Sequence, residues 1–433
     1  MGLTRQLAQR AATLRFEDLP EGAIVTAKRG MIDCVGVLIA GRDQRVVQIV
    51  LENTPRADEA QVLFTDRKAS SSDAALINAT AGHALDYDDT ALDGHPSVVL
   101  APTVLAEGER VGASGKELIA AYVAGYEVWA ELVSRDADKH HGKGWHPTAV
   151  FGPIGAAAAA CNISRLNPDE TATALAVAAA TAGGLVASFG TMTKPFQVGR
   201  AAQSGIQAAR LAAAGMSAPL DALEHPSGFL TAVSPQGRVR RDEKLGEWHI
   251  LRHGLNIKRY PVCYALHRAI DAVLETSLAS DDVVSVGVRI GKLQAAMLRH
   301  SSPQNSLDAK FSAQFAMAAA LLRRRIGLAE LSESFVRSDP VQALMRKVRV
   351  ATTDETDPDM PLFAPHDSVR FELTDGKSVT TREVRYAKGH ARNPLGFDEL
   401  RAKFDDCTAG AQRALLERLL HLEELNGALG QAR

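Results

Sequence analysis

Apolar residues recur at helical spacing through the first two-thirds of the chain. Ile24, Ala27, Met31, Val35 and Leu38 mark one face of a helix that runs into Gly41, a residue suited to a C-cap. Ser114-Gly115-Lys116-Glu117 has the form of a capping box, and Leu118, Ala121, Tyr122, Gly125, Val128, Trp129 and Leu132 follow on one face. Asn167-Pro168-Asp169-Glu170 repeats the device, with proline at the first helical position and acids in the first turn. The run Thr171 to Gly190 is nearly all Ala, Val, Gly and Leu, which predicts a helix buried on every side. The longer apolar tract, Ala156 to Gly190, is broken by Asn162, Arg165, Asp169 and Glu170 and reads as a pair of buried helices, not a membrane span.

The period changes near residue 280. Val284, Val286, Val288 and Ile290 alternate as in a strand, and Val348 with Val350 suggests a second. Val369, Phe371 and Leu373 lead into Asp375-Gly376, a hairpin signal, with a return strand through Val379. Helical patterns lie between them at Lys310–Arg323 and Leu328–Val336. From Phe397 onward the helical period returns, with Leu415, Leu416, Leu419, Leu420 and Leu422. These patterns predict a mainly α protein. A large all-α helical domain (1–268 plus 395–433) would carry an inserted smaller α+β lid domain (269–394).

Composition narrows the class. The chain has 433 residues, enough for two or three domains, and its 46% hydrophobic and 23% charged content is that of an ordinary globular protein. Lys and Arg (49) nearly balance Asp and Glu (51) with no basic block, so nucleic acid is not an expected partner. Cys34, Cys161, Cys263 and Cys407 are widely spaced without a C-x-x-C pair, which argues against disulfides and structural zinc and for a reducing, cytoplasmic setting. Met1-Gly2-Leu3-Thr4-Arg5 lacks the apolar core of a secretory signal.

Candidate chemistry concentrates in two histidine-centred strings. One is His83-Ala84-Leu85-Asp86-Tyr87-Asp88-Asp89-Thr90, followed by Gly94-His95-Pro96-Ser97; the other is Gly144-Trp145-His146-Pro147-Thr148. A residue before proline is pushed out of the α region, so His95 and His146 each read as held at a helix–loop boundary. The acids Asp86, Asp88 and Asp89 could face solvent, cap a turn or hold a cation. No spacing matches a known metal motif, and no metal is expected. Lys194, in Phe189-Gly190-Thr191-Met192-Thr193-Lys194-Pro195, and Lys258, in Ile257-Lys258-Arg259-Tyr260-Pro261, suit anchoring of an anionic ligand, with Tyr260 adding a phenol. Lys310 opens the string Lys310-Phe311-Ser312. Two histidines, one or two acids and lysines on helix-end loops suit proton abstraction beside a carboxylate, the ammonium groups holding carboxylates and the developing charge.

Taken in order along the whole chain, these strings resemble the MmgE/PrpD family, which includes 2-methylcitrate dehydratase, cis-aconitate decarboxylase and iminodisuccinate epimerase. The resemblance implies a helical domain with an inserted mixed domain, a cofactor-free and metal-free site between them, and a homodimer. It places the active site on Asp86, Thr90, His95, His146, Lys194 and Lys258. From the residues themselves, Tyr260 beside Lys258 and Lys310 at the start of an inserted-domain helix are further expected substrate contacts. Asp86 would orient or share the proton, Thr90 would hydrogen-bond the substrate, and Lys194 and Lys258 would clamp carboxylates. Cys263 stands where cis-aconitate decarboxylases carry a histidine, and Phe315 where they carry a tyrosine. The chain is also shorter than typical methylcitrate dehydratases, and its Gly-Trp-His-Pro-Thr and Phe-Gly-Thr-Met-Thr-Lys-Pro strings resemble the epimerase branch. The expected activity is a hydro-lyase reaction on a small di- or tricarboxylate. Epimerisation or decarboxylation of such a substrate stands as the alternative.

Overall fold

The computed structural model describes residues 1–63, 65–136, 138–241, 244–246 and 248–427. It divides into two compact units, Met1–Asn256 with Leu400–Arg433, and Ile257–Glu399. Helices dominate, with strands confined to small sheets.

In the first unit, α1 (Leu3–Thr13), α2 (Glu21–Gly41) and α3 (Arg45–Glu52) precede a two-stranded antiparallel ladder, β1 (Ala60–Gln61) with β2 (Lys68–Ala69). That ladder is a small exception to the all-α expectation. The chain continues through α4 (Ser71–His83), α5 (Pro96–Val111), α6 (Gly115–Ser134), α7 (Pro147–Ile163), α8 (Pro168–Ala180) and α9 (Thr193–Ala213). Helix α7 is the hub, packed on α5, α6, α8 and α9. All of its residues are buried, because Ala, Gly and small apolar side chains allow close approach on every face. The capping boxes at Ser114 and Asn167 form as the sequence predicts.

The run from Thr171 does not stay helical to Gly190. Helix α8 stops at Ala180, and residues 181–192 run as a partly exposed, largely irregular segment. The Gly183-Gly184 pair explains the break. A Cβ on Gly184 would lie 2.3 Å from that of Ala149, so only glycine lets the chain pass this close to α7. Freed from the helix, the segment pairs with the backbone ahead of α7: His146 N–H donates to the Gly184 carbonyl (3.0 Å), and Val186 N–H to that of Gly144 (2.9 Å).

The second unit is α+β. Its sheet has the order β4-β3-β5-β6, from β3 (Val283–Gly291), β4 (Val348–Thr353), β5 (Ser368–Leu373) and β6 (Ser378–Thr380). Strands β3 and β4 are parallel, and the β5–β6 hairpin turns at Asp375-Gly376, where Gly376 takes φ +83°. Val286, Val288, Ile290, Val369 and Phe371 build the core with Phe315 and Met317 from the helix Ala313–Arg323. The predicted helix at Lys310–Arg323 starts late, since Ser312 caps it by accepting from Phe315 N–H. The predicted helix at 328–336 splits into two single turns. The C-terminal stretch from Leu400 joins the first unit, where buried Lys403 donates to the Tyr87 carbonyl (2.9 Å).

Candidate active site

Three helix starts converge in the first unit. His95 is the N-cap of α5 and His146 the N-cap of α7, each with proline at the first helical position. Proline fixes φ for the first turn and has no N–H to leave unpaired, while the histidine before it is kept out of the α region. His95 N–H donates to Thr148 Oγ1 in the first turn of α7 (3.2 Å). His146 Nδ1 lies 2.9 Å from Gln197 Oε1 near the start of α9, one turn past Lys194. The N-terminal ends of α5, α7 and α9 are thereby tied together, and their dipoles make this a positive, anion-attracting corner. Gly94 permits the approach, since a Cβ there would meet Thr148 Oγ1 at 2.8 Å and the Trp129 ring at 3.1 Å.

The acids do not behave as solvated loop residues. Asp88 and Asp89 are fully buried, and only Asp86 keeps partial exposure. Asp88 is chelated by two imidazoles: His83 Nδ1 lies 2.9 and 3.0 Å from its two oxygens, and His95 Nδ1 lies 3.0 Å from one of them. Burial opposes ionisation of Asp88, but the two rings outweigh it and hold the carboxyl below the usual carboxylate range. His95 Nδ1 also faces the Asp89 carbonyl (2.8 Å). A carbonyl and an ionised carboxylate only accept, so His83 and His95 both carry a proton on Nδ1, and neutral His83 presents a lone pair at Nε2. Asp86 sits in the left-handed region (φ +53°), which Asp tolerates, and its carboxylate takes the Lys194 ammonium at 2.8 Å.

His146 has the same polarity. Gln197 Nε2 donates to the Leu185 carbonyl (3.4 Å), which can only accept, and to Ser188 Oγ (2.8 Å), so Oε1 faces His146 and the ring proton sits on Nδ1. Nε2 of His146 and Nε2 of His83 are buried with no hydrogen-bond partner among the described residues. Burial, then the neighbouring His83, holds the His146 ring neutral, with its pKa down at about 3; burial likewise keeps His83 well below its ordinary value. The His83 ring centroid is 4.5 Å from that of His95 and 6.3 Å from that of His146. Phe189 stands between His146 (centroids 4.9 Å apart) and the Lys194 ammonium (5.1 Å). The result is a pair of neutral, proton-accepting imidazoles, His83 and His146, packed with His95 and beside the Lys194 ammonium.

Beneath it, the Asp89 carboxyl accepts from Ser97 Oγ (2.7 Å), which also meets Tyr122 Oη (2.6 Å). Burial, with Asp33 close by, pushes the Asp89 pKa well up. Among the described residues, His83, Asp86, Asp88 and His95 bring ligand atoms within 4.8 Å of one another, a set able to hold a cation. Here Asp88 is committed to both histidines and Lys194 supplies the positive charge on Asp86, so the donors fit their own network better than an ion.

The site residues expected from sequence fall into both units. Asp86, His95, His146 and Lys194 come together in the first. Thr90 lies beside them and ties its backbone to Asn256 in both directions (2.9 Å each). Lys258, Tyr260 and Lys310 belong to the second unit. Lys258 is buried, and the Lys310 carbonyl accepts from Cys263 N–H (2.8 Å). The Tyr260 hydroxyl is buried and donates to Asp271 (2.7 Å). Phe315 is a core residue of that unit. Sequence reasoning passed over His83, Asp88 and Gln197 as functional groups. His83 and Asp88 stood inside the quoted string, and their five-residue separation across a helix end was the available signal.

Two family models cover most of the chain: the MmgE/PrpD N-terminal domain matches residues 5–242 and the MmgE/PrpD C-terminal domain residues 260–423. The chain belongs to the MmgE/PrpD family. Curated relatives include cis-aconitate decarboxylase of Mus musculus (28% identical, spanning 93% of this chain and 86% of the relative) and that of Homo sapiens (28%, 93% and 87%). The cis-aconitate decarboxylase-like protein oryM of Aspergillus oryzae is 24% identical over 93% of this chain and 89% of its own length. Among the described residues of this MmgE/PrpD protein, no helix is long and apolar enough to cross a membrane.

Proposed function

We propose that the protein is a lyase acting on a small di- or tricarboxylate, by removing a proton from carbon next to a carboxylate and expelling a β-leaving group, most simply water. One observation carries the reading: the buried, unpartnered Nε2 of neutral His146 stands with Lys194 where three helix N-termini meet. The compound in the curated relatives' name, cis-aconitate, is a tricarboxylate, in keeping with an anion-attracting corner.

In this reading the α C–H bond breaks, its proton passes to a histidine Nε2, and charge builds on the substrate carboxylate. Lys194 and the helix ends stabilise that charge. The β C–O bond then breaks as the C=C bond forms, and the departing hydroxyl takes the abstracted proton back from the protonated histidine and leaves as water, which restores the neutral imidazole. His146 is the base best placed to start this. His95 is the second, its ring steadied by Asp88 and Asp89, and Asp86 holds Lys194 in position.

Decarboxylation begins instead with loss of carbon dioxide and needs a proton donor for the carbanion left behind. Neutral imidazoles with free lone pairs suit the taking of a proton better than the giving of one. Epimerisation uses the same first step and returns the proton to the other face. The discriminating experiment incubates the enzyme with hydroxy-di- and tricarboxylates and with cis-aconitate, following enoate absorbance and carbon dioxide. Enoate from a hydroxy acid supports the proposal. Carbon dioxide from cis-aconitate with no elimination from any hydroxy acid overturns it.

A further inference from the structure

We infer that Gln197 is a positioning residue that fixes His146 in the tautomer with its proton on Nδ1, leaving Nε2 as the proton-accepting atom. The inference rests on the catalytic role proposed for His146 but concerns a different residue. Gln197 lies one turn beyond Lys194 on α9, and its side chain makes three contacts. Oε1 faces His146 Nδ1 at 2.9 Å, while Nε2 donates to Ser188 Oγ at 2.8 Å and to the Leu185 carbonyl at 3.4 Å. The Leu185 carbonyl can only accept, and it orients the amide. With Nε2 spent on the 185–188 segment, only the carbonyl oxygen can turn to His146, and a carbonyl oxygen accepts.

His146 is 1% exposed and, among the described residues, no other group hydrogen-bonds either ring nitrogen, so this hydrogen bond decides which nitrogen keeps the proton. The arrangement also places His146 and Lys194 on one scaffold, because Gln197 and Lys194 lie one turn apart on α9. The titratable and charged groups facing His146 are His83 at the end of α4, His95 at the start of α5 and Lys194 on α9. Two of these are imidazoles with Nδ1 already committed to Asp88, and the third is a cation, so no other neighbour supplies an acceptor for the His146 proton.

Glutamine does here what a carboxylate does for many catalytic histidines, with one difference. It orients the ring without adding negative charge, so His146 stays neutral beside Lys194. The replacement Gln197→Leu removes the acceptor, and Gln197→Glu keeps it and adds a charge.

The test reads the tautomer itself. Two-bond proton–nitrogen correlation spectra of histidine-¹⁵N-labelled full-length protein distinguish the Nδ1–H, Nε2–H and doubly protonated rings, with His146→Gln assigning the resonance. At neutral pH the wild type should show His146 as the Nδ1–H form. Gln197→Leu should lose that signature toward the Nε2–H form that neutral imidazole favours in water. Gln197→Glu should keep Nδ1–H and raise the His146 titration midpoint by about one pH unit or more. An unchanged Nδ1–H signature in Gln197→Leu, or Nε2–H in the wild type, overturns the inference. Turnover separates the two claims: if His146→Gln leaves elimination intact, the proposed function falls while the tautomer result stands by itself.

Discussion

Acidification should destabilise this protein by an amount that a single residue sets in part. His146 is buried and held neutral, its pKa lowered from 6.5 to about 3 by burial and the neighbouring His83. In the unfolded chain the same imidazole titrates near its ordinary value. Between those values the unfolded state binds a proton that the folded state refuses, so stability falls as pH drops below about 6.5 and stops falling near 3. From pH 7.5 to pH 5 the ring crosses about 1.5 units of that window, worth about 2 kcal/mol at roughly 1.4 kcal/mol per unit. Replacing His146 by Gln removes this contribution and leaves the other buried histidines unchanged, so they cancel in the comparison. Urea unfolding followed by tryptophan fluorescence suits the measurement, because Trp129, Trp145 and Trp248 all lie in the first unit. The wild type should lose about 2 kcal/mol more than His146→Gln over this interval, at equal m-values. Parallel losses in the two proteins would refute the claim that His146 is held neutral.

Removing the Lys194 ammonium (Lys194→Met) takes away a charge-assisted contact of about 1.5–3 kcal/mol, so kcat/KM on a carboxylate substrate should fall about 10- to 100-fold; an unchanged value would remove Lys194 from the site. Asp88→Asn replaces an acceptor-only group by one that must also donate, forcing His83 or His95 into the other tautomer. Turnover should fall about a hundredfold or more while circular dichroism stays near wild type, and retained turnover would contradict the assigned proton positions. If the His83–Asp86–Asp88–His95 donors serve one another, dialysis against a chelator should leave activity unchanged, whereas loss restored by a divalent ion would show that they hold a metal.

Local signals were legible wherever one residue type dictates backbone shape. His-Pro at 95–96 and 146–147 gave two N-caps, Asp375-Gly376 gave the hairpin, and alternating valines gave β3. The burial of Asp88 and Asp89 was not legible, because an acidic triplet reads as solvated unless its partners are known. Those partners are His83, His95, Ser97 and, through Asp33, Lys403, which returns from the C-terminal helix 397–408. The extent of α8 was misjudged for a related reason. Composition favoured helix through Gly190, whereas the close passage of Gly184 over Ala149 ends it at Ala180 and brings Ser188 and Phe189 to His146 and Gln197. Gln197 carried no signal of its own, since its role exists only once α7 and α9 pack together.

The central claim is that His146 removes a carbon-bound proton next to a carboxylate. Its most direct test is proton NMR of substrate carboxylates incubated in deuterium oxide with wild-type enzyme and with His146→Gln. The account predicts that wild type incorporates deuterium next to a carboxylate, alongside or ahead of enoate formation, and that His146→Gln does neither. Product formation with no solvent deuterium at that carbon, or exchange that persists in His146→Gln, would contradict it.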